Sequence, residues 1–252
     1  MHRAEVQIVA DSVSNESNRL ITYQLRYWRA IHAEVMTHRV FSRNAGSSRA
    51  RPSLAIIKQV FFDPWGPIHW GKNEPGMQAN TELQGMVRSL ARTLWCLAAM
   101  AVACIAYLML KLKVHKQIVK RILEPFTYVE VLVTATDYAN WFYLRDHADA
   151  QPEIKDLAEQ MLLVKQNSTP RFLFPSEWHL PYITGDDRAE AVKYLKQHNK
   201  VVTCDEILAL LKKMSTARCA RISYSLFDGT KASLAKDLEL YKKLIESAPL
   251  HA

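Results

Sequence analysis

Residues 37–49 carry a high density of side chains that can bind an anion. The stretch reads Thr-His-Arg-Val-Phe-Ser-Arg-Asn-Ala-Gly-Ser-Ser-Arg, with three arginines, one histidine and four hydroxyl groups. A guanidinium group offers a planar pair of donors that matches the oxygens of a phosphate, and hydroxyl groups add further donors. The stretch therefore predicts a phosphate-binding site, and a solvated basic loop of the same composition is the alternative.

Two arginines further along the chain, Arg121 and Arg145, lie on predicted helices beside apolar residues. One interpretation is that both form salt bridges at the ends of their helices. The other is that both guanidinium groups reach the pocket of Arg39 and Arg49, where arginine can bind a phosphate or a pyrimidine carbonyl. Only the second interpretation places four arginines around one ligand.

The chain lacks the sequence patterns of several other chemistries. His32, Glu34 and His38 do not have the HExxH spacing of a zinc site, and the four cysteines are too far apart for a metal knuckle. Ser47 has no recognisable base near it that would make it a nucleophile. There is no P-loop and no GxGxxG sequence, which argues against NTPase and Rossmann chemistry. Binding of a phosphorylated ligand fits the sequence better than these alternatives.

The elements that must position these residues follow from hydrophobic periodicity. The pattern predicts strands at 5–10 and 128–134, and a structured loop at 63–77 whose aromatic residues either cap a ligand cavity or anchor the loop. It leaves residues 54–62 open between helix and strand. Helices are predicted at 19–40, 80–123, 136–146, 152–165, 188–198, 205–213 and 231–247. The predicted fold class is α+β, a mixed α/β domain with a small central sheet and many helices.

Length, charge and cysteine usage bound the class of protein. The chain has 252 residues, 49% of them hydrophobic, without a compositional break, so we expect one domain over residues 1–252. The formal net charge of +8 and the pI near 9.3 suit an anionic partner. The cysteine pattern, and an N-terminus that does not resemble a signal peptide, predict a reducing, cytoplasmic location.

One predicted helical segment, residues 94–110, contains no charged side chain. Its length is near the lower limit of a membrane-spanning helix. Alanine, cysteine and methionine keep it only moderately apolar, and an amphipathic pattern continues through Lys111 and Lys116. We therefore expect no membrane contact, and a helix buried in a protein core or in an oligomer interface.

The phosphate-site stretch resembles the signature of the flavin-dependent thymidylate synthase family. That signature is Arg-His-Arg, seven residues and then Ser-x-Arg. Here Thr37-His38-Arg39 is followed after seven residues by Ser47-Ser48-Arg49. The match predicts a member of this family in which one arginine of the signature is replaced.

Two more blocks of sequence support the resemblance. Residues 120–126, 134–145 and 150–154 are similar to the later region of the family. Residues 217–224 resemble its N-terminal Ala-Arg-Val-Ser-Tyr element, here displaced toward the C-terminus. That order indicates a circular permutation, which is possible when the original termini lie close together. Residues 165–214 have no counterpart, and we expect them to form a helical insertion.

The resemblance implies a fold, an assembly and a set of ligands. It implies the flavin-dependent thymidylate synthase-like fold and a homotetramer with FAD and dUMP sites shared between subunits. It also implies reductive methylation to dTMP, with methylenetetrahydrofolate as the one-carbon donor and NADPH as the reductant of the flavin. The residues expected by position to contact FAD are His38, Arg39, Asn140 and Ser223. The residues expected to bind the nucleotide are Glu34, Ser47, Arg49, Arg121 and Arg145.

Arg145 is the expected catalytic residue. By the resemblance it lies against the pyrimidine, favours ionisation at N3 and so activates C5. Two departures from the family pattern affect this site: Thr37 replaces an arginine and Glu34 replaces a glutamine. The second hypothesis is therefore a divergent relative that modifies another pyrimidine nucleotide, or that binds nucleotide or nucleic acid without flavin catalysis. Nucleic acid is not the expected partner under the first hypothesis.

Overall fold

The computed structural model describes residues 2–48, 50–76, 79–198, 201–222 and 233–246. The chain divides into two compact units. Unit 1 comprises Met1–Gln7 and Gln24–Ser168, and unit 2 comprises Ile8–Tyr23 and Thr169–Ala252. The expected single domain, with residues 165–214 as an insertion, stays a prediction.

A five-stranded mixed sheet runs through the fold. Its strands are β1 (Glu5–Val13), β2 (Arg19–Trp28), β3 (Ser42–Ala45), β4 (Tyr128–Ala135) and β5 (Arg171–Phe172). The strand order is β3-β4-β2-β1-β5. In unit 1, β3 runs antiparallel to β4, and in unit 2, β5 runs parallel to β1. The predicted mixed α/β fold with a small sheet and many helices is confirmed.

The predicted helix at residues 19–40 is wrong, because residues 19–28 form strand β2. Along this strand Tyr23, Leu25 and Tyr27 are buried, and the residues between them are partly exposed. That alternation has the period of two that places successive side chains on opposite faces of a sheet. Helical structure is limited to a 3-10 turn at Arg29–Ile31 and the short helix α1 (His32–Val35).

Five longer segments of unit 1 also form helices. They are α2 (Ser53–Phe62), α3 (Gly85–Lys111), α4 (Lys116–Arg121), α5 (Ala139–Arg145) and α6 (Pro152–Gln166). The segment that the pattern left open is therefore helix α2. The predicted helix at 80–123 is interrupted at residues 112–115, where Lys113 has φ of +62° and His115 accepts a hydrogen bond from the backbone of Gln117 as the N-cap of α4.

Only one stripe of helix α3 is buried within the chain. Ala99, Ala103 and Ala106 are fully buried against α2 and α4, in a cluster with Val60 and Val119. Several larger apolar side chains of α3 point away, among them Leu94, Leu97 and Leu108, which are 56%, 50% and 61% exposed. The prediction of a helix buried in a core is wrong for the described chain, and the alternative of an oligomer interface stays a prediction.

By length and composition α3 is able to span a membrane. The most apolar 18-residue segment of α3 is 17% buried. A single helix of this kind does not distinguish a membrane span from a surface that binds another protein chain.

Three helices form the core of unit 2. They are α7 (Gly185–His198), α8 (Cys204–Arg221) and α9 (Leu234–Glu246). Their buried residues include Ala191, Leu211, Met214 and Leu234. Helix α8 begins at a capping box between Thr203 and Glu206, as a polar residue followed three positions later by an acid predicts.

A buried ion network ties these helices together. The Arg218 guanidinium donates to both carboxylate oxygens of Asp187, at 2.8 and 2.9 Å, and to Asp237 Oδ2 at 2.8 Å. Arg221 donates to Asp237 Oδ1 at 2.9 Å. Breaking such a network leaves an unpaired buried charge, which costs several kcal/mol. The block at 217–224 thus contributes structural arginines, whereas Ser223 lies outside the described residues.

Candidate functional site

A cavity of about 870 Å³ lies in unit 1, and two of the predicted site residues line it. These are Glu34 of α1 and Arg145 of α5. The rest of its wall comes from the end of β2, from residues 67–80 and from residues 144–153. Its volume is in the range that holds a small-molecule ligand or cofactor.

Arg145 is held in a defined position by two other predicted residues. Its Nε donates a hydrogen bond to His38 Nε2 at 3.1 Å. One of its terminal nitrogens lies 3.9 Å from Glu34 Oε2. The side chain is 23% exposed, so burial and these two partners restrict it. The structure therefore brings Arg145 together with Glu34 and His38, although Arg145 lies about a hundred residues after them in the sequence.

His38 is neutral in this arrangement. It is buried, packs edge-on against Trp141 at 4.7 Å between ring centroids, and stacks on Phe41 at 5.9 Å. Burial lowers the pKa of His38 below its usual value, and the neighbouring Arg145 and Arg43 lower it further. Because a guanidinium group can only donate, Nε2 of His38 must be unprotonated where it meets Arg145. The imidazole proton therefore lies on Nδ1.

Arg43 supports the turn that carries His38. It was one of the three arginines of the predicted phosphate site, and its side chain donates instead to the backbone carbonyls of Met36 and His38, at 2.7 and 2.8 Å. These bonds fix the chain between α1 and β3. Arg43 thus positions His38, a role that its place in a basic stretch does not reveal.

The second half of the basic stretch forms a turn after β3. Ser47 is exposed, and its carbonyl accepts a hydrogen bond from the backbone of Ala50 at 3.0 Å. The ammonium group of buried Lys120 donates to the carbonyls of Ser48 and Arg51. Burial lowers the pKa of Lys120, and the nearby cations Lys116 and Arg51 add to this effect. Arg49 itself lies outside the described residues.

Besides His38, four of the predicted site residues that the structure describes do not line the cavity. Arg121 is 69% exposed and pairs with Glu124 at 3.1 Å, as expected of a salt bridge at a helix end. Arg39, Asn140 and Ser47 are exposed on other parts of unit 1. The ligand roles of all four stay predictions.

Several cavity residues were not identified from the sequence. His69, His147, Gln151 and Glu153 line it together with Trp28.

Glu153 accepts hydrogen bonds from the backbone of Ile68 and the side chain of Gln151, both at 3.0 Å. It thereby fastens the loop before α3 to the start of α6. The loop at 63–77 both caps the cavity, through His69, and anchors itself, through buried Trp65.

The cavity combines one fixed cation with a neutral imidazole behind it and a carboxylate beside it. A guanidinium group held in this way can donate to a carbonyl or stabilise negative charge on a ligand ring, without losing its own proton. The site is therefore suited to a ligand that develops negative charge next to Arg145.

A comparison with protein families identifies the class of protein. The model of the family described as Thy1, thymidylate synthase complementing protein, matches residues 19–171, which is more than half of the chain. The protein therefore belongs to the Thy1 family of thymidylate synthase-like nucleotide methyltransferases. The match includes the blocks at 37–49, 120–126, 134–145 and 150–154 and ends before residues 217–224. The circular permutation thus stays a prediction.

Solved structures show the same fold. The chain is similar to the UMP/dUMP methylase PolB from Streptomyces cacaoi bound with 5-Br UMP, with a TM-score of 0.52 and 16% sequence identity over 66% of this chain and 90% of that one. The same enzyme bound with 5-Br dUMP gives a TM-score of 0.53 and 16% identity over 66% and 91% of the two chains. No curated protein matches the sequence.

Proposed function

We propose that this protein is an FAD-dependent thymidylate synthase that methylates dUMP to dTMP, with methylenetetrahydrofolate as carbon donor and NADPH as reductant. The observation that carries the proposal is the position of Arg145. Its guanidinium lines the cavity and is fixed from one side by His38 and from another by Glu34. Family membership supplies the class of reaction.

Arg145 is the catalytic residue in this proposal. Its terminal nitrogens donate to the pyrimidine and stabilise the negative charge that develops when N3 loses its proton, which raises the electron density at C5. His38 holds the Nε edge of the guanidinium and cannot take up a second proton without losing that bond. Glu34 orients the other edge and accepts from a donor of the nucleotide.

The residues available for FAD have suitable chemistry. Arg39 and Asn140 are exposed, and His38 carries its proton on the nitrogen that Arg145 does not occupy. A cation, an amide and an imidazole N–H are donors that a diphosphate and a flavin ring accept. Ser223 completes the set by position. When bound and reduced, FAD supplies the hydride that completes the methyl group.

The phosphate group of dUMP is assigned to Ser47, Arg49 and Arg121. Within one chain Arg121 does not line the cavity of Arg145. We therefore propose that each complete site combines residues of neighbouring subunits in a homotetramer. The exposed apolar side chains of α3 are a suitable surface for such an assembly, since exposed apolar patches of this length mark contacts between chains. A cytoplasmic location is part of the same proposal.

A second candidate substrate is UMP. The fold neighbour is a methylase of both UMP and dUMP, and its structures hold the brominated forms of each. If this chain has the same tolerance, ribose and deoxyribose substrates turn over at similar rates. A third candidate, a nucleotide-binding protein without flavin chemistry, is the outcome expected if Thr37 has removed FAD binding.

Flavin and nucleotide titrations test the proposed function. Purified protein should be yellow, or should take up FAD, and dUMP should change the flavin absorbance spectrum. Release of FAD on denaturation, identified by its spectrum, establishes the cofactor. The same titration with UMP distinguishes the two substrates. A colourless protein that binds nucleotide but not FAD would support the binding-only candidate, and one that binds neither would rule out all three.

A further inference from the structure

Unit 2 contains a cavity of about 390 Å³ that the proposed reaction does not use. It lies between the loop after β5, the first turn of α7 and the first half of α8. Arg171 is the last residue matched by the family model, and the other lining residues lie beyond the match. Family membership therefore gives this cavity no role.

The cavity contains a half-buried cation that forms no close ion pair in the described part of the chain. Arg188 of α7 lines it, and no side-chain hydrogen bond or ion pair of Arg188 is present among the residues that the structure describes. Burial lowers the pKa of Arg188, neighbouring Arg171 lowers it further, and the carboxylate of Glu177 opposes both effects. Arg171 itself is paired with Glu177. Because Glu177 is bound to Arg171 and makes no close ion pair with Arg188, an anionic ligand beside Arg188 is favoured.

The charges around the cavity favour a singly charged ligand. Glu177 accepts from the backbone of Phe174 at 3.0 Å as well as from Arg171, and Asp205 lines the wall at the start of α8. The ammonium group of Lys212 lies 3.3 Å from the ring centroid of Trp178. The two arginines and two carboxylates that line the cavity balance, and Lys212 beside Trp178 adds one positive charge. A carboxylate matches this balance better than a doubly charged phosphate.

The rest of the lining is apolar. Trp178 is 53% exposed, and Leu180, Ile207, Leu208 and Leu211 form the adjoining wall. An apolar wall with a few convergent polar groups is the usual composition of a small-molecule site. We propose that this cavity binds a small aromatic monocarboxylate, with the carboxylate on Arg188 and the ring against Trp178 and the apolar side chains of α8.

Alkylation of Cys204 measures occupancy of the cavity. This exposed thiol lines the cavity, whereas the exposed thiol of Cys104 lies on α3 in unit 1. The full-length protein is treated with iodoacetamide, with and without 2-naphthoate, and the modified peptides are quantified by mass spectrometry. Saturating 2-naphthoate should slow alkylation of Cys204 by about tenfold and leave the rate at Cys104 unchanged. The neutral analogue 2-naphthamide should protect much less.

Two variants of α7 test the role of Arg188. Arg188→Gln should lower the affinity for 2-naphthoate, measured from the concentration needed to protect Cys204, about tenfold. This corresponds to the loss of one charge-assisted hydrogen bond. Lys193→Gln removes the same charge from an exposed position of the same helix and should not change protection. Circular dichroism and the melting temperature of both variants establish that they are folded, and Arg188→Met, which also removes the charge, replaces Arg188→Gln if the latter is not.

Four outcomes would overturn the proposal. They are no protection of Cys204, equal protection of Cys204 and Cys104, equal protection by the acid and the amide, and an undiminished effect in a folded Arg188 variant. The second outcome would indicate nonspecific adsorption of 2-naphthoate to apolar surface. None of these results depends on flavin binding or on turnover of dUMP. They therefore test the cavity of unit 2 separately from the proposed function.

Discussion

At the scale of single residues, one arginine distinguishes this site from an ordinary basic surface. Arg145 and Arg121 gave the same two interpretations from the sequence, a salt bridge at a helix end or a ligand contact. In the structure Arg121 pairs with Glu124 at 3.1 Å, whereas Arg145 donates to a histidine that is neutral. The carboxylate paired with Arg145 is that of Glu34, at the longer distance of 3.9 Å, so the positive charge of Arg145 is less fully neutralised than that of Arg121.

The first prediction concerns Arg145. Arg145→Ala should reduce turnover of dUMP by about a hundredfold to a thousandfold, because a preorganised group that stabilises transition-state charge contributes about 3–4 kcal/mol. The fold should lose about 1 kcal/mol or less, since only one hydrogen bond to His38 is removed. Steady-state kinetics and urea unfolding measure the two effects.

Two further variants complete this test. Arg145→Lys keeps the charge but not the bond from Nε to His38, so it should recover only a small part of the activity. Lys155→Ala, on an exposed face of α6, should leave turnover unchanged. Full activity of Arg145→Ala would remove the catalytic assignment.

At the scale of elements, a histidine outside the candidate site fastens two strands of unit 2. His179 Nδ1 lies 2.5 Å from Ser12 Oγ on β1, and its Nε2 lies 2.8 Å from Thr22 Oγ1 on β2. Both hydroxyls belong to buried residues. Burial lowers the pKa of His179 to about 4, and the nearby carboxylate of Asp11 opposes this shift only in part. The neutral imidazole can accept at one nitrogen and donate at the other, and the protonated form can only donate.

The second prediction is a loss of stability in mild acid. The pKa of His179 is lower in the folded protein than its value of 6.5 in the unfolded chain, so its contribution is complete above pH 6.5. It is lost as the pH falls from 6.5 toward 4, because the unfolded chain takes up the proton first. The free energy of unfolding should decrease by roughly 2–3 kcal/mol across this window, as measured by urea unfolding at a series of pH values.

A matched pair of histidine variants isolates this effect. His179→Gln retains a donor and an acceptor and does not titrate, so the decrease between pH 6.5 and 4 should become smaller by the same amount. His147→Gln changes a histidine that is 59% exposed and should leave the pH dependence as it was. If both variants keep the wild-type curve, His179 does not control it.

At the scale of the whole molecule, helix α3 exposes a row of large apolar side chains in the single chain. Its alanines pack against α2 and α4, while Leu94, Leu97 and Leu108 face solvent. Contact between water and such a row of apolar side chains is unfavourable in free energy. Burial of the row against a second protein surface is therefore favourable. The assembly proposed for the shared dUMP sites provides such a surface.

The third prediction is that the assembly depends on α3. The native protein should have about four times the 28.9 kDa mass of one chain, measured by size-exclusion chromatography with light scattering. The double variant Leu97→Glu/Leu108→Glu should shift this mass toward that of a monomer, since buried unpaired carboxylates at an interface cost several kcal/mol. Turnover should fall with the mass, because the proposed sites are shared.

The control for this variant is Leu163→Glu. Leu163 is 52% exposed on α6 and receives the same change of charge, and it should leave the mass unchanged. A native protein that is monomeric in solution would contradict the proposed assembly. Recovery of the native protein in the membrane fraction would instead favour a membrane role for α3.

Local patterns identified the family but not the geometry of the candidate site. The spacing of Thr37, His38, Arg39 and Ser47 and the second block ending near Ile154 were sufficient to predict the family that the comparison confirms. The same residue types did not show that Arg43 and Lys120 bind backbone carbonyls and so position the turns. A cation in a basic stretch has the same appearance in sequence whether its partner is a ligand or a carbonyl.

Strand β2 shows how a pattern of side chains can predict the wrong element. Tyr23, Tyr27, Ile31 and Val35 recur at the four-residue spacing of a helix, yet Tyr23, Leu25 and Tyr27 also alternate with a period of two. Pairing with neighbouring strands decides between the two periods, and that pairing involves residues far away in the sequence.

The sequence by itself determined the family, the mixed α/β class and the identity of Arg145 as the arginine to examine, because these depend on residue types at fixed spacings. The tertiary structure alone decided that His38 lies against Arg145, that Arg121 pairs with Glu124, and that α3 buries its alanines and exposes its leucines. Each of these depends on packing between distant segments, which local spacing does not encode.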